Sequence, residues 1–250
     1  MHRFYIPAEN WNLESLLLDE PESHHALDVL RLKEGDRAVV FDGRGSEATV
    51  EIAAVAKKSV SLRAVHHAKS APLTCQITLA QAVPKGKNMD LIVQKATELG
   101  AAAIAPLLSD RTVIQCDDGD AAKKREKWQA VAVEAAKQCG QNWLPTIHRP
   151  QSPKDFFQAN PRFDLTLIAS LQPDSQHFKK VLEEHLATHK KMPATVLILV
   201  GPEGDFTPAE ISLAKSHGCR PITLGPIVLR TETAAIYSLS ILGYELLGAA

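Results

Sequence analysis

No run of apolar residues in the 250-residue chain approaches the ~20 needed to cross a bilayer. The opening Met1-His-Arg-Phe-Tyr-Ile6 lacks the apolar stretch of a secretory signal. No membrane partner is expected. Cysteine is scarce: Cys75, Cys116, Cys139 and Cys219 are scattered and form no C-x-x-C pair. Free thiols in a reducing cytoplasm are the simplest account. Cationic excess is missing too, with Lys+Arg 28 against Asp+Glu 29 and a net charge of −1. Residues 1–72 alone carry 9 basic and 11 acidic side chains. No global field draws in a polyanion, so nucleic-acid contact has to come from a local patch. No G-x-G-x-x-G links a strand to a helix, which disfavours a nucleotide-dependent dehydrogenase. Internal repeats and low-complexity tracts are absent as well.

Metal-binding patterns are equally thin. His24-His25 and His66-His67 are adjacent pairs whose members point to different sides of a helix or strand. His185 and His189 share a helical face, but Glu183-Glu184 and Lys190-Lys191 around them read as a solvated surface helix. Asp117-Asp-Gly-Asp120 resembles a calcium loop without the glutamate such a loop needs. No metal is expected.

Apolar residues make up 45% of the chain, enough for a substantial core. The length suits one large domain or two ordinary ones, and the chain divides at Ser70-Ala-Pro72. Before it, Phe4-Tyr5-Ile6 is followed by a helix expected over Glu22–Leu32, with Ala26, Val29 and Leu30 facing inward. Alternating segments Arg37–Phe41, Ala48–Val55 and Ser59–Val65 come next, separated by Asp42-Gly-Arg-Gly45 and Lys57-Lys58. Short strands so closely spaced predict a small β-barrel over residues 1–72. From residue 73 to 250 strands and helices alternate: Cys75–Ala82, Met89–Leu99, Ala102–Leu108, Lys124–Cys139, Asp164–Ser170 and Gln176–Ala187. Such alternation predicts an α/β domain with a mostly parallel sheet covered on both faces. Gly100 and Gly140 stand where helices end.

Two glycine loops near the C-terminus carry the functional signal. Thr195–Val200 is a β-branched run of buried-strand length, and it turns through Gly201-Pro-Glu-Gly-Asp-Phe206. Thr207, Pro208 and Glu210 form a capping box opening helix Ala209–His217, which Gly218 ends. The grammar then repeats: strand Pro221–Leu224, loop Gly225–Arg230, and Thr231-Glu-Thr233 opening helix Ala234–Leu247. In that helix Ile236, Leu239, Ser240 and Gly243 are expected on one face. Two such loops side by side at the carboxyl ends of strands make a cofactor crevice. Glycine there lets a ligand approach the backbone closely. A third loop, Pro84-Lys-Gly-Lys-Asn88, places two lysines ahead of a helix start, where a phosphate can sit.

Val200-Gly-Pro-Glu-Gly204 and Leu224-Gly-Pro-Ile-Val-Leu-Arg-Thr-Glu-Thr-Ala234 closely resemble the final motifs of SPOUT-class RNA methyltransferases. Among these the chain is most similar to the family of ribosomal RNA small subunit methyltransferase E. Further matches lie in Lys85–Gly100, in Arg111 and in the segment from Lys127 through Glu134 and Gln138 to Gly140. Ser23-His-His-Ala-Leu-Asp-Val-Leu-Arg31 matches the recurrent H-x-x-x-V-L-R of a PUA-like RNA-binding barrel. The resemblance implies a homodimer with a deep trefoil knot in its C-terminal domain, S-adenosylmethionine (SAM) as cofactor, and N3 of a uridine in 16S rRNA of the small ribosomal subunit as acceptor. It further implies that Leu171, Val200, Gly201, Glu203, Gly204, Leu224, Gly225, Leu229 and Thr233 hold the cofactor. Arg3, Arg31, Lys33, Lys85, Lys87 and Arg111 are the expected RNA contacts. Methyl transfer to a nitrogen that carries a proton needs in-line geometry and stabilisation of the forming anion. Arg230 is the expected stabiliser, worth on the order of 2–4 kcal/mol. Glu232 is either a proton acceptor or a favourable charge at its helix start. Asn88, Gln141, Asp205 and Ile227 depart from the family pattern and together remove positive charge. That loss leaves open a second class of function, a non-catalytic RNA-binding or ribosome-assembly factor.

Overall fold

The computed structural model describes residues 1–56, 59–112, 118–159 and 161–248, with no side-chain description for Asp118. The expected Lys57-Lys58 turn, Cys116 and part of the Asp117–Asp120 loop lie outside the described residues. Two compact units result, one of Met1–Pro72 with Val133–Leu144 and the other of Leu73–Ala132 with Pro145–Ala250. Residues 133–144 therefore count with the first unit, although a boundary at residue 72 would put them in the second.

In the first unit, β1 (Arg3–Tyr5), β2 (Leu16–Leu18), β3 (Arg37–Phe41), β4 (Ser46–Ala56) and β5 (Ser59–Lys69) form one sheet in the order β1-β3-β4-β5-β2. Only the β1–β3 pairing is parallel. Phe4, Leu16, Val40, Val50 and Val60 fill its core. The helix expected from Glu22 begins earlier, as α1 (Glu20–His24), because Asp19 accepts from the Glu22 backbone N–H at 2.9 Å and caps it. It then widens into a π-turn over His25–Val29, closed by Leu30 N–H donating to the His25 carbonyl. The extra residue in that turn shifts the facing. Ala26 is buried as expected, whereas Val29, expected inside, is 60% exposed.

The second unit is a seven-stranded sheet in which every pairing is parallel. Its strands are β6 (Gln76–Ala82), β7 (Ala103–Leu107), β8 (Thr146–Ile147), β9 (Leu165–Ala169), β10 (Gln176–His177), β11 (Thr195–Val200) and β12 (Arg220–Thr223). They run in the order β10-β12-β9-β11-β6-β7-β8. Helices α2 (Asn88–Glu98), α3 (Asp118–Cys139), α4 (Pro153–Gln158), α5 (Phe178–His189), α6 (Pro208–Ser216) and α7 (Thr231–Leu246) complete the order of elements. Alternation in β11 sorts the core by face. Val196, Ile198 and Val200 pack with Ile92, Val181 and Leu239, and Leu197 and Leu199 pack with Phe156, Phe206 and Ile211. Each such fully buried side chain contributes roughly 1.5–3 kcal/mol.

α7 leaves β12 and packs against α2, β6 and β11, having crossed β9 in the sheet order. Its buried face is Ala235, Leu239, Leu242 and Leu246; of the four residues expected to share a face, Leu239 is buried, Ile236 and Gly243 are half-buried and Ser240 is exposed. His185 is a further correction: it is buried in α5, not solvated, with its ring 4.5 Å from that of His189.

Candidate functional site

Because every strand of the second sheet runs the same way, the loops after β6, β7, β9, β11 and β12 all leave from one edge. The two expected glycine loops meet there. Ala169–Leu171, Val200–Asp205, Leu224–Gly225 and Ile227–Thr231, with Ala234, line a cavity of about 320 Å³. That volume lies within the range of small-ligand sites.

Local sequence explains how each wall is made. The capping box appears as expected: Thr207 accepts from Glu210 N–H, and Glu210 Oε2 accepts from Thr207 N–H at 2.8 Å. It fixes where the first loop ends and α6 begins. Gly204 and Gly225 both have positive φ, at 91° and 114°. A Cβ on Gly225 would meet nothing within 4 Å, so the wall there is backbone with open space before it. A deeply buried hydroxyl joins the two loops. Thr231 Oγ1 donates to the Gly201 carbonyl at 2.7 Å and accepts from Gln81 Nε2 at 3.0 Å. Thr231 is legible in sequence only as a helix start; its partners are 30 and 150 residues away.

Of the expected cofactor residues, Leu171, Val200, Gly201, Glu203, Gly204, Leu224, Gly225 and Leu229 line the cavity. Thr233 does not; it lies exposed on the first turn of α7, between the lining residues Thr231 and Ala234. Asp205, Ile227 and Val228 line it without having been expected to, and Ile227 and Val228 are each 73% exposed. Arg230, expected as the catalytic cation, is an exposed lining residue at the N-cap of α7 and has no ion-pair partner among the described residues. Glu232 falls outside the lining, in the acidic first turn of α7 where it favours the helix start.

The expected RNA contacts divide between the units. In the first, Arg31 and Lys33 are exposed after the π-turn. Arg3 is not available in the same way. Its guanidinium is held by Glu47 at 2.6 Å and Asn142 at 2.6 Å, and its side chain is 14% exposed, so its charge is largely neutralised. In the second unit Lys85 and Lys87 are exposed beside Gly86 in the loop after β6. Arg111 donates Nη1 to the carbonyls of Gly204 and Asp205, an arrangement that no sequence pattern announces. Among the described residues no group of three or more His, Cys, Asp and Glu is gathered as metal ligands would be.

The cavity fits a nucleoside-bearing cofactor. Its walls are mainly backbone and aliphatic side chains, and the space beside Gly225 is one that any larger residue would fill. Comparison with known proteins agrees with this geometry. Residues 71–243 match the RNA methyltransferase domain family, and residues 18–69 match the RNA methyltransferase PUA domain family. The chain is 32% identical over 249 residues to ribosomal RNA small subunit methyltransferase E of Bacillus subtilis, covering 98% of this chain and 97% of that one. Among solved structures, a Legionella pneumophila chain crystallised with the cofactor SAM superposes with TM-score 0.86 at 35% identity, covering 97% of both chains. Ribosomal RNA small subunit methyltransferase E of Neisseria gonorrhoeae, solved bound to SAM, superposes with TM-score 0.83 at 28% identity, covering 98% of both.

Proposed function

The chain belongs to the RNA methyltransferase family, and on that footing we propose that it binds SAM in the Gly201–Leu229 cavity and methylates N3 of a uridine in 16S rRNA of the small ribosomal subunit. The observation that carries this reading is the convergence of the two glycine loops, with Arg230 unpaired at the cavity wall. SAM when bound supplies an electrophilic methyl group on a sulfonium. The chain's own residues do the rest. Backbone groups of Val200–Gly204 and Leu224–Leu229 hold and orient the nucleoside, and Leu224 and Leu229 pack the adenine. Apolar walls exclude water from the reacting centre. Arg230, a fixed cation, stabilises the uridine N3 anion as its proton leaves, worth on the order of 2–4 kcal/mol of barrier. The N3 proton passes to Glu232 in the first turn of α7 or, where Glu232 acts only on its helix, to solvent water.

In the same reading residues 1–72 are a PUA-like RNA-binding unit and residues 73–250 the SAM-binding and dimerisation domain. Arg31, Lys33, Lys85 and Lys87 contact phosphates. The homodimer, the trefoil knot of the C-terminal domain and a cytoplasmic location belong to the proposal too. The intact cavity favours catalysis over a purely structural role on the ribosome. Methyl incorporation into small subunits from a strain lacking the protein tests it, with the modified base identified by nucleoside analysis. N3-methyluridine is expected, and Arg230→Ala should lower the rate by about 30- to 1000-fold with SAM affinity retained. An Arg230→Ala rate equal to wild type would sink the mechanism.

A further inference from the structure

Arg111 is expected on the RNA path, and its side chain also reaches the first glycine loop. The arginine sits in the turn after β7, where Thr112 N–H donates to the Ser109 carbonyl at 2.8 Å. Its Nη1 donates to the Gly204 carbonyl and, at 3.3 Å, to the Asp205 carbonyl. Beside it, Asp110 N–H donates to Glu210 Oε1 at 2.9 Å, tying the same turn to the start of α6. On the far side of the bend, the Asp205 carboxylate accepts from Leu171 N–H at 3.1 Å and from Phe206 N–H at 2.7 Å. The bend itself needs holding. Gly204 and Asp205 are consecutive left-handed residues, at φ 91° and 69°, and Asp205 stands where the resembled family often has a second glycine. A side chain in that region costs energy and persists where neighbours over-determine it. Gly204 and Asp205 line the cavity, and Arg111 does not.

We propose that Arg111 is a positioning residue for the cofactor: it braces the Gly204–Asp205 bend from behind, so that the cavity wall is already formed when the cofactor arrives. This rests on SAM occupying that cavity. A braced loop loses less freedom on binding, so removing the brace weakens affinity without altering the chemistry of the bound state. The role differs from a phosphate contact in which titration it moves.

The test titrates SAM by calorimetry in the absence of RNA, and 16S rRNA in the absence of SAM, for the wild type, Arg111→Ala and Arg111→Lys. Arg111→Ala is expected to weaken SAM binding about tenfold, the loss of a forked charge-assisted contact at an exposed site. The KM for SAM should rise by a similar factor, with kcat at saturating SAM and rRNA affinity each within about twofold of wild type. Arg111→Lys, which can still donate to the carbonyls, should recover part of the loss. Thermal unfolding without SAM checks that the variants are folded. Unchanged SAM affinity in a folded Arg111→Ala protein overturns the inference alone, whatever happens to rRNA binding. Failure of the wild type to bind SAM overturns the functional proposal and this inference together.

Discussion

Replacing Thr231 with valine tests whether the two loops form one site. Valine matches the shape of threonine and opens no cavity, so the change isolates one hydroxyl. Thr231 is 4% exposed, and that hydroxyl bridges the Gly201 carbonyl at 2.7 Å and Gln81 Nε2 at 3.0 Å. The amide loses little, because Gln81 Nε2 still donates to the Ala82 carbonyl at 2.9 Å. The Gly201 carbonyl loses its side-chain donor. Leaving a buried acceptor unpaired costs about 1–3 kcal/mol, and Gly201 is only half-buried, so the lower part of that range applies. The expected loss of unfolding free energy is about 1.5 kcal/mol. SAM affinity should fall by up to about tenfold, since the same bond sets the spacing of the loops. Urea unfolding gives the first quantity and calorimetric titration the second. A double-mutant cycle with Gln81→Leu should return a coupling of at least about 0.5 kcal/mol. Wild-type stability and wild-type SAM affinity in Thr231→Val, with no coupling to Gln81, would refute the claim that this hydroxyl holds the site together.

In the first unit, Lys137 bridges Glu22 at 3.0 Å with side chains 8% and 11% exposed, and burial pushes the Glu22 carboxyl above its ordinary range. Lys137→Met should cost about 3–5 kcal/mol in urea unfolding, with Glu22→Gln in the same chain recovering most of it. Burial, followed by the nearby His189 charge, holds the His185 imidazole below its ordinary range, against a smaller opposing pull from Asp164. The unfolded chain therefore binds the proton more readily below a pH of about 6.5, so stability present above that pH is lost as the solution is acidified. Urea midpoints at about pH 7.5 and about pH 5.5 should differ less in His185→Leu than in wild type. Converting Lys85 and Lys87 to alanine should flatten the dependence of log affinity for rRNA on log salt by about 0.7 for each single-strand phosphate that the lysines had neutralised. An unchanged slope would remove both lysines from the RNA path.

Features governed by neighbours along the chain are legible without a structure. β11 spans the expected Thr195–Val200, because a short continuous apolar run rich in β-branched residues between turn signals has few other ways to bury itself. The Thr207–Glu210 capping box is legible for the same reason, since its bonds close within three residues. Both glycine loops and most of the cavity lining follow from them. What stays hidden depends on partners distant in sequence. The π-turn that exposes Val29 is set by how α1 packs in its unit, and the inner face of α7 by the crossing that carries it to β6 and β11. Arg3 and Arg111 look alike as surface cations in the sequence. One is neutralised by Glu47, 44 residues away, and the other braces a loop 93 residues away. The residue types and local turns thus determined what kind of site the chain could build. Only the tertiary fold decided what each cation does there, because a carboxylate brought close neutralises one and carbonyls brought close turn another into a brace.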